Sequence, residues 1–283
     1  MAVVHSTLPD ALTAVVDDVL GAAAVEHRAH GPGMPLRAAE TAAGDASALA
    51  LVGPFRSADV AEAVEATAPA GLPLIAPVAT WAGVTRDDEP GCDDPARHRR
   101  TVLRMVARDT EVAARVAAWL RAAGRRAMVV AGEQQYGVQL AGQLRMVGLP
   151  AVDRAEDADI VVLCGLAGAP EIARAAELAP LPIVAFDGVQ GGDLGAGRDV
   201  RLALPVAPAA DLVVGDVLFF VAPTRRAAEL VVAAIQSGAR DRTAALREMR
   251  RLGPFDEHGD PIDPPVWLWR ADHDWALDPD RAI

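Results

Sequence analysis

The chain has 283 residues, with 39 acidic and 27 basic side chains and a formal net charge of −12. Hydrophobic residues make up 52% and aromatic residues 4%, which excludes general disorder and favours many small α/β elements around a large core. Lysine is absent, so a Schiff-base lysine and a phosphate-loop lysine are excluded. The acidic balance argues against nucleic acid or an anionic membrane as the main partner.

The first part of the chain alternates short apolar runs with longer stretches of helical period. This pattern predicts strands at 3–5, 24–28, 49–52 and 74–76 and helices at 9–23, 35–43 and 57–66. Ser57 is interpreted as the N-cap of the third helix, with Asp59 in its first turn.

The alternation continues in the second part. Strands are predicted at 102–106, 127–131, 160–163, 183–186 and 200–205, and helices at 109–123, 136–147 and 170–178. A helical region at 212–237, broken near Pro223, a last helix at 242–252 and a strand-like run at 266–269 follow. Two successive series of this kind predict an α/β protein with two doubly wound parallel-sheet lobes, whose ligands bind beyond the carboxyl ends of the strands.

A search for catalytic patterns finds neither a nucleophile elbow, nor a phosphate loop, nor a metalloprotease motif. We therefore predict no catalytic residues, no cofactor and no metal. His27 and His30, three residues apart, are interpreted as surface histidines rather than a metal pair. The acidic side chains of the tail, between 256 and 274, are interpreted as a solvated turn rather than a calcium loop.

The amino-terminal segment has neither a basic region nor a long apolar run. No window reaches the ~20 apolar residues that a membrane span needs. These observations predict a cytoplasmic protein without a membrane span, or a periplasmic or extracellular lipoprotein whose leader has been removed.

Four stretches, taken in order, resemble one known family. They are LVGPFRS at 51–57, LIAPVAT at 74–80, Arg104 with Arg108-Asp109, and EQQYG at 133–137. Together they resemble the type I periplasmic (solute) binding proteins, specifically the branched-chain amino-acid (leucine, isoleucine, valine) binding proteins of ABC transporters. The similarity covers nearly the whole chain, and the segments at 253–259 and 266–269 resemble that family's final hairpin.

The resemblance implies two lobes, 1–107 with 208–252 and 108–207 with 253–283, joined by a three-strand hinge. The ligand would lie in the cleft between them and be enclosed by hinge closure, as in a Venus flytrap. The candidate ligand-binding positions on this chain are Ser57, Ala79, Thr80, Trp81, Asp109, Tyr136 and Asp187, with Phe55, Arg56 and Ala167 as secondary positions.

The roles implied for these residues follow from the charges of an amino acid. Thr80, the Ala79 N–H and Ser57 would hold the ligand α-carboxylate, and Asp187, with Asp109, would hold the ammonium. Two departures from the family pattern stand out: Asp59 follows the carboxylate-binding position, and Ala167 stands where an aromatic residue is usual.

Structural alternatives stay open for several positions. Asp187 is also a suitable turn residue before glycine, and Ser57 is also a suitable helix cap. Tyr136 fits a core position as well as the cleft, and Trp81 fits hinge packing as well as a stacking wall.

The sequence thus predicts a non-catalytic binding protein for an amino acid or an amide. It would act as the solute receptor of an ABC permease in amino-acid transport or as a ligand sensor with a regulatory partner, and a homodimer is compatible with either role. Three alternatives are kept: a cytoplasmic regulator of the amide-sensor type, a degenerate interaction module, and, with least support, an enzyme using Asp109 and Asp187 for proton transfer.

Overall fold

The computed structural model describes residues 2–31, 33–86, 100–166, 170–189, 198–208, 220–271 and 277–283. The chain forms two compact units: unit 1 is Met1–Arg108 with Val217–Pro264, and unit 2 is Asp109–Asp216 with Pro265–Ile283. The chain therefore passes from one unit to the other three times. Residues 253–264, which the sequence assigns to the second lobe, belong to unit 1, because Asp260 in this stretch is tied to Arg104 of unit 1.

The helices and strands follow the predicted alternation through both units. The strands are β1 (Val3–Thr7), β2 (Glu26–His30), β3 (Ala48–Val52), β4 (Leu74–Ala76), β5 (Val102–Arg104), β6 (Ala127–Ala131), β7 (Ala151–Val152), β8 (Ile160–Cys164), β9 (Ile183–Phe186), β10 (Val200–Leu204), β11 (Trp267–Ala271) and β12 (Leu277–Ala282). The helices are α1 (Asp10–Ala22), α2 (Pro35–Gly44), α3 (Ser57–Thr67), α4 (Asp109–Ala122), α5 (Gln135–Met146), α6 (Pro170–Glu177), α7 (Val221–Gln236) and α8 (Arg242–Leu252).

Unit 1 contains a parallel sheet in the order β2-β1-β3-β4-β5. All five residues of β3 are buried, as expected for a parallel strand covered by helices on both faces. Leu51 of β3 and Leu74 of β4 pack with Val60 of α3 in the core of this unit. Each fully buried leucine of this kind contributes roughly 1.5–3 kcal/mol to the stability of the fold.

Unit 2 contains a second sheet in the order β12-β11-β10-β9-β8-β6-β7. Strands β6 to β10 run parallel, whereas β11 and β12 are antiparallel and form a hairpin at the edge. The central strand β8 is buried along its whole length. The doubly wound α/β architecture predicted from the sequence is confirmed, and so is a strand near 266–269, which is β11.

Of the helical region predicted at 212–237, residues 212–219 lie outside the described residues, and α7 begins at Val221. Pro223 lies in the first turn of α7, where its missing N–H has no intrahelical partner to lose. One local prediction is wrong. Ser57 is not the N-cap of α3: Arg56 holds that position in an extended conformation, and Ser57 is the first helical residue.

In the described part of the chain, no helix combines the length and the apolar character that crossing a membrane requires.

Candidate functional site

In unit 1, the predicted carboxylate-binding residues lie on the connections that follow β3 and β4. The backbone N–H of Trp81 donates to the hydroxyl oxygen of Ser57, with 3.2 Å between nitrogen and oxygen. This bond joins the two connections directly. Because the Ser57 oxygen already accepts here, its own proton is left to donate to another group.

The connection after β4 is shaped by the buried guanidinium of Arg104, which is 0% exposed. Its Nη1 donates to the carbonyl of Ala79 at 2.6 Å, and its Nη2 donates to the carbonyl of Trp81 at 2.9 Å. Nη2 also donates to the Thr85 hydroxyl at 2.8 Å. With both flanking carbonyls turned toward Arg104, the conformation of the segment that carries Thr80 is fixed by charge-assisted hydrogen bonds.

A buried carboxylate balances this arginine. Asp260 is 2% exposed and accepts from Arg104 Nε at 3.0 Å, from Arg86 Nε at 2.9 Å and from the Thr85 hydroxyl at 2.5 Å. Burial by itself raises the pKa of Asp260, but Arg104, Thr85 and Arg86 together hold that pKa below its ordinary value. The interpretation of the acidic tail as a solvated turn is therefore wrong for Asp260.

Thr80 is a buried residue, 6% exposed, and its hydroxyl makes no hydrogen bond within the described residues. The N–H of Ala79 likewise has no backbone or side-chain acceptor in that part of the chain. The Thr80 hydroxyl oxygen is not among the buried side-chain atoms that lack a partner, so it is open to solvent. Both groups thus lie on the segment after β4 as donors without an acceptor in the described residues, and Trp81 of the same segment bonds to Ser57.

Three further residues lie near the start of α3: Phe55, Arg56 and Asp59. The Phe55 ring packs edge-on against Phe220, with ring centres 5.4 Å apart. Arg56 is exposed, and its guanidinium makes no ion pair within the described residues. Asp59 lies in the first turn of α3 and is half-buried.

In unit 2, Tyr136 and Asp187 are brought together although they are 51 residues apart. The Tyr136 hydroxyl donates to Asp187 Oδ1 at 2.8 Å. Burial raises the pKa of Asp187, and the hydrogen bond from Tyr136 offsets only part of this effect. Burial and the nearby negative charges of Asp187 and Asp109 also raise the pKa of Tyr136, which keeps its phenol protonated as a donor.

Small residues make this approach of Tyr136 and Asp187 feasible. A Cβ atom on Gly188 would lie 2.9 Å from Tyr136 Cε1 and 2.7 Å from the carbonyl oxygen of Gly165. A Cβ on Gly137 would lie 2.7 Å from the carbonyl oxygen of Cys164. The backbone therefore approaches closely where β8 and β9 end and α5 begins, and Gly137 and Gly188 leave no room for a Cβ atom.

Of the other two positions predicted in this half, Asp109 lies within the described residues and Ala167 does not. Asp109 is the first residue of α4, is 6% exposed and acts electrostatically on Tyr136. Leu166, the neighbour of Ala167, is in contact range of Gly188, since a Cβ on that glycine would lie 2.8 Å from Leu166 Cδ2. An aliphatic side chain thus borders the Tyr136–Asp187 pair.

A group of histidines on β1 and β2 was not anticipated. His5 Nδ1 lies 2.7 Å from His30 Nε2, and His5 Nε2 lies 3.1 Å from Asp45 Oδ2. On the opposite face of the sheet, His27 Nε2 lies 2.7 Å from the Ser6 hydroxyl. Both β2 histidines are partly exposed, and each bonds to a side chain of β1. Since residues three apart on a strand point to opposite faces, they form no metal pair.

Ser6, His27 and Asp17 form a hydrogen-bonded serine–histidine–aspartate chain, because His27 Nδ1 contacts the Asp17 carboxylate. Ser6 is 0% exposed, so no substrate can reach its hydroxyl. The chain therefore ties α1 to the sheet and does not act as a nucleophile. Within the described residues, no group of three or more histidine, cysteine, aspartate or glutamate side chains is arranged to hold a metal ion.

The sequence matches no protein-family model and no curated protein. The fold, in contrast, is shared with solved solute-binding proteins. One is an ABC transporter substrate-binding protein from Desulfitobacterium hafniense in complex with Leu (TM-score 0.75, 18% identity, 99% of this chain and 99% of that chain covered). A second is the branched-chain amino acid transporter substrate-binding protein LivJ from Streptococcus pneumoniae in complex with isoleucine (TM-score 0.73, 13% identity, 100% and 99% covered).

A third is a solute-binding protein of an ABC transporter from R. palustris in complex with benzoate (TM-score 0.71, 12% identity, 100% and 96% covered). The type I periplasmic-binding-protein fold, to which the sequence motifs pointed, is thereby confirmed over the whole chain.

Proposed function

We propose that this chain is a non-catalytic binding protein for a small carboxylate-bearing metabolite, with an amino acid or a close relative as the first candidate. The observation that carries the proposal is the pair of donors without an acceptor in the described residues on the segment after β4, the Thr80 hydroxyl and the Ala79 N–H, whose neighbour Trp81 bonds to Ser57. Donors held in place without a protein acceptor suit an anion that arrives from outside.

The ligand carboxylate is the group that these donors fit. The three ligands named in the solved complexes, leucine, isoleucine and benzoate, differ in size and in the presence of an ammonium, and all carry a carboxylate. The carboxylate is therefore the common chemistry from which a ligand search for this chain starts.

The ammonium of an amino acid would be held by Asp187. Its raised pKa means that ionisation is costly in the empty protein, and a ligand cation nearby would recover that cost. Tyr136 fixes the orientation of the carboxylate through its 2.8 Å hydrogen bond. Asp109 and Trp81 belong to the same proposed ligand-binding set, and Phe55, Arg56 and Ala167 are secondary candidates.

The proposal requires that donors of the first lobe and the carboxylate of the second lobe share one ligand, and that lobe closure removes water from it. In this proposal the two lobes are the two compact units, Met1–Arg108 with Val217–Pro264 and Asp109–Asp216 with Pro265–Ile283.

A melting assay with a ligand panel tests the proposal. L-leucine, L-glutamine, acetamide and benzoate sample carboxylate with and without ammonium, and an amide alone. For an amino acid that raises the melting temperature, Thr80→Val and Asp187→Ala should each abolish the rise while the fold stays intact. For benzoate, only Thr80→Val should abolish it. Thr243→Val and Asp153→Asn, at exposed positions of α8 and of the segment after β7, are the matched controls. If Thr80→Val and Asp187→Ala both keep full affinity, the site assignment is wrong.

Transport and sensing are two biological roles for the same binding event, and they differ in the partner. A solute receptor would associate with an ABC permease, and a sensor would associate with a regulatory protein. Co-purification from the native host with and without the identified ligand separates the two roles.

A further inference from the structure

A surface concavity of about 380 Å³ lies at the carboxyl end of the edge strand β2 in unit 1. It is separate from the residues assigned to the proposed function. Its lining combines polar and apolar groups: His30, Gly31, Gly33, Met34, Arg37, Ala38 and Thr41.

A hydrogen-bonded relay leads from the half-buried carboxylate of Asp45 to this concavity. Ser47 and His5 hold the pKa of Asp45 well below its ordinary range, so this carboxylate is ionised and only accepts. His5 Nε2, 3.1 Å away, must therefore carry a proton. With one proton per ring, His5 Nδ1 accepts from His30 Nε2, 2.7 Å away. If His5 Nδ1 gains a further proton, it becomes the donor and His30 Nε2 becomes the acceptor. The single proton of the His30 ring then lies on Nδ1.

The relay therefore offers two states of the imidazole that lines the concavity. In one state His30 Nδ1 is a lone-pair acceptor, and in the other it is an N–H donor on a pair that carries one positive charge. Asp45 balances the positive charge of the second state, so the pair can hold one extra proton. A second extra proton would place the N–H of His5 Nδ1 against the N–H of His30 Nε2.

Arg37 supplies the second polar group. Its guanidinium is exposed and makes no ion pair within the described residues, whereas Arg28, on the neighbouring strand, is engaged by Glu26 and Asp45. A guanidinium beside a protonatable imidazole suits a carboxylate, and Met34 and Ala38 suit a short apolar chain.

We propose that this concavity binds a small organic carboxylate and that the His5–His30 pair takes up one proton from solvent as the anion binds. Burial, and after it the positive charge that His5 and His27 carry when protonated, lowers the pKa of His30, which favours the neutral form of this ring in the empty site. An anion next to His30 favours the protonated pair. Of the other charged groups around the pair, Asp45 also favours that proton, and Arg28 and Arg37 oppose it.

Calorimetric titration of the full chain with propionate tests the inference. Propionate lacks an ammonium and is small enough for the concavity. At pH 7, titrations in two buffers of different protonation enthalpy should show uptake of a proton, and the affinity should rise as the pH falls toward 6. Propionamide, which has the same shape without the charge, should not bind.

Two variants locate the site. Arg37→Gln should weaken propionate binding by about tenfold or more, because a charge-assisted contact is lost. His30→Gln should remove the proton uptake. Arg226→Gln, which removes an equally exposed guanidinium from α7 of the same unit, should leave both unchanged.

The result that overturns the inference is propionate binding that Arg37→Gln leaves intact, or no saturable binding at all. Thr80→Val separates this site from that of the proposed function. If Thr80→Val abolishes propionate binding and Arg37→Gln does not, the anion occupies the other site and the inference fails.

Discussion

The backbone N–H of Trp81 donates to the hydroxyl of Ser57 across 3.2 Å, so one short contact joins the segments that follow β3 and β4. The two residues are 24 positions apart in the sequence. The Ser57 hydroxyl oxygen is the acceptor of this hydrogen bond. The remaining hydroxyl proton is thereby directed to another group, which is the arrangement that an anion-binding serine needs.

Replacing Ser57 tests this relationship. Ser57→Ala should weaken binding of a carboxylate ligand by about tenfold and should lower the free energy of unfolding by about 1 kcal/mol, because Trp81 N–H loses its acceptor. Ligand titration and urea denaturation measure the two effects. Ser237→Ala, at the exposed end of α7, should change neither quantity. Unchanged affinity in Ser57→Ala would remove Ser57 from the site.

The Arg104–Asp260 pair predicts a large loss of stability when one partner is removed. Arg104→Met should destabilise the protein by about 3–5 kcal/mol, because Asp260 stays buried with fewer charge partners. Denaturant unfolding measures this. The double variant Arg104→Met/Asp260→Asn should be less destabilised than the sum of the single variants, since each single change already breaks the same contact. Arg247→Met, at an exposed position of α8, is the control.

Asp187 predicts a pH dependence of both stability and binding. Its pKa is raised by burial, so the protonated form stabilises the fold fully below the unfolded value of about 3.9, and this contribution is lost as pH rises through the folded pKa. We therefore expect Asp187→Asn to raise the melting temperature of the ligand-free protein at pH 7 and to have little effect near pH 4.

Binding of an amino acid should follow the opposite trend. The ligand ammonium needs the ionised carboxylate, so affinity should fall as the pH drops through the folded pKa of Asp187. Titrations from pH 8 down to the pH at which the protein unfolds measure the trend, and Asp153→Asn should reproduce the wild-type profile. Equal affinity over that whole range would show that Asp187 does not pair with the ligand.

We expect the single methyl group added by Gly188→Ala to weaken ligand binding. In Gly188→Ala the new Cβ would lie 2.7 Å from the Gly165 carbonyl oxygen and 2.9 Å from the Tyr136 ring, so Tyr136 must move away from Asp187. Ligand affinity should fall at least tenfold, together with a loss of stability. Gly142→Ala, inside α5, has open space around it and should instead stabilise the helix by about 0.5–1 kcal/mol. Full affinity in Gly188→Ala would contradict the tight packing described for Tyr136.

The regular elements were predictable because their signals are local. The strand predicted at 49–52 is found as β3, Ala48–Val52, and the helix predicted at 136–147 is found as α5, Gln135–Met146. Continuous apolar runs mark strands that are covered on both faces, and the helical period marks the helices that cover them.

The polar contacts were less predictable because they depend on distant parts of the chain. Asp260 reaches Arg104 across 156 residues, and in sequence it is one of several acids in a polar tail. His27 and His30 lie near a glycine-rich turn, which suggests the surface, yet their partners His5 and Ser6 lie on another strand. Ser57 was assigned to the right connection and to the wrong helix position, because capping depends on the conformation of Arg56.

The separation of Arg104 from Asp260 has a consequence for how the protein matures on the ribosome. Synthesis runs from the amino terminus, so the guanidinium emerges long before the carboxylate that neutralises it. Until the stretch that contains α8 and Asp260 has left the exit tunnel, Arg104 lacks its counter-ion and the Ala79–Trp81 segment lacks its final anchor. A nascent chain truncated before Asp260 should therefore be a substrate for chaperones, even though all five strands of the first sheet have already been made.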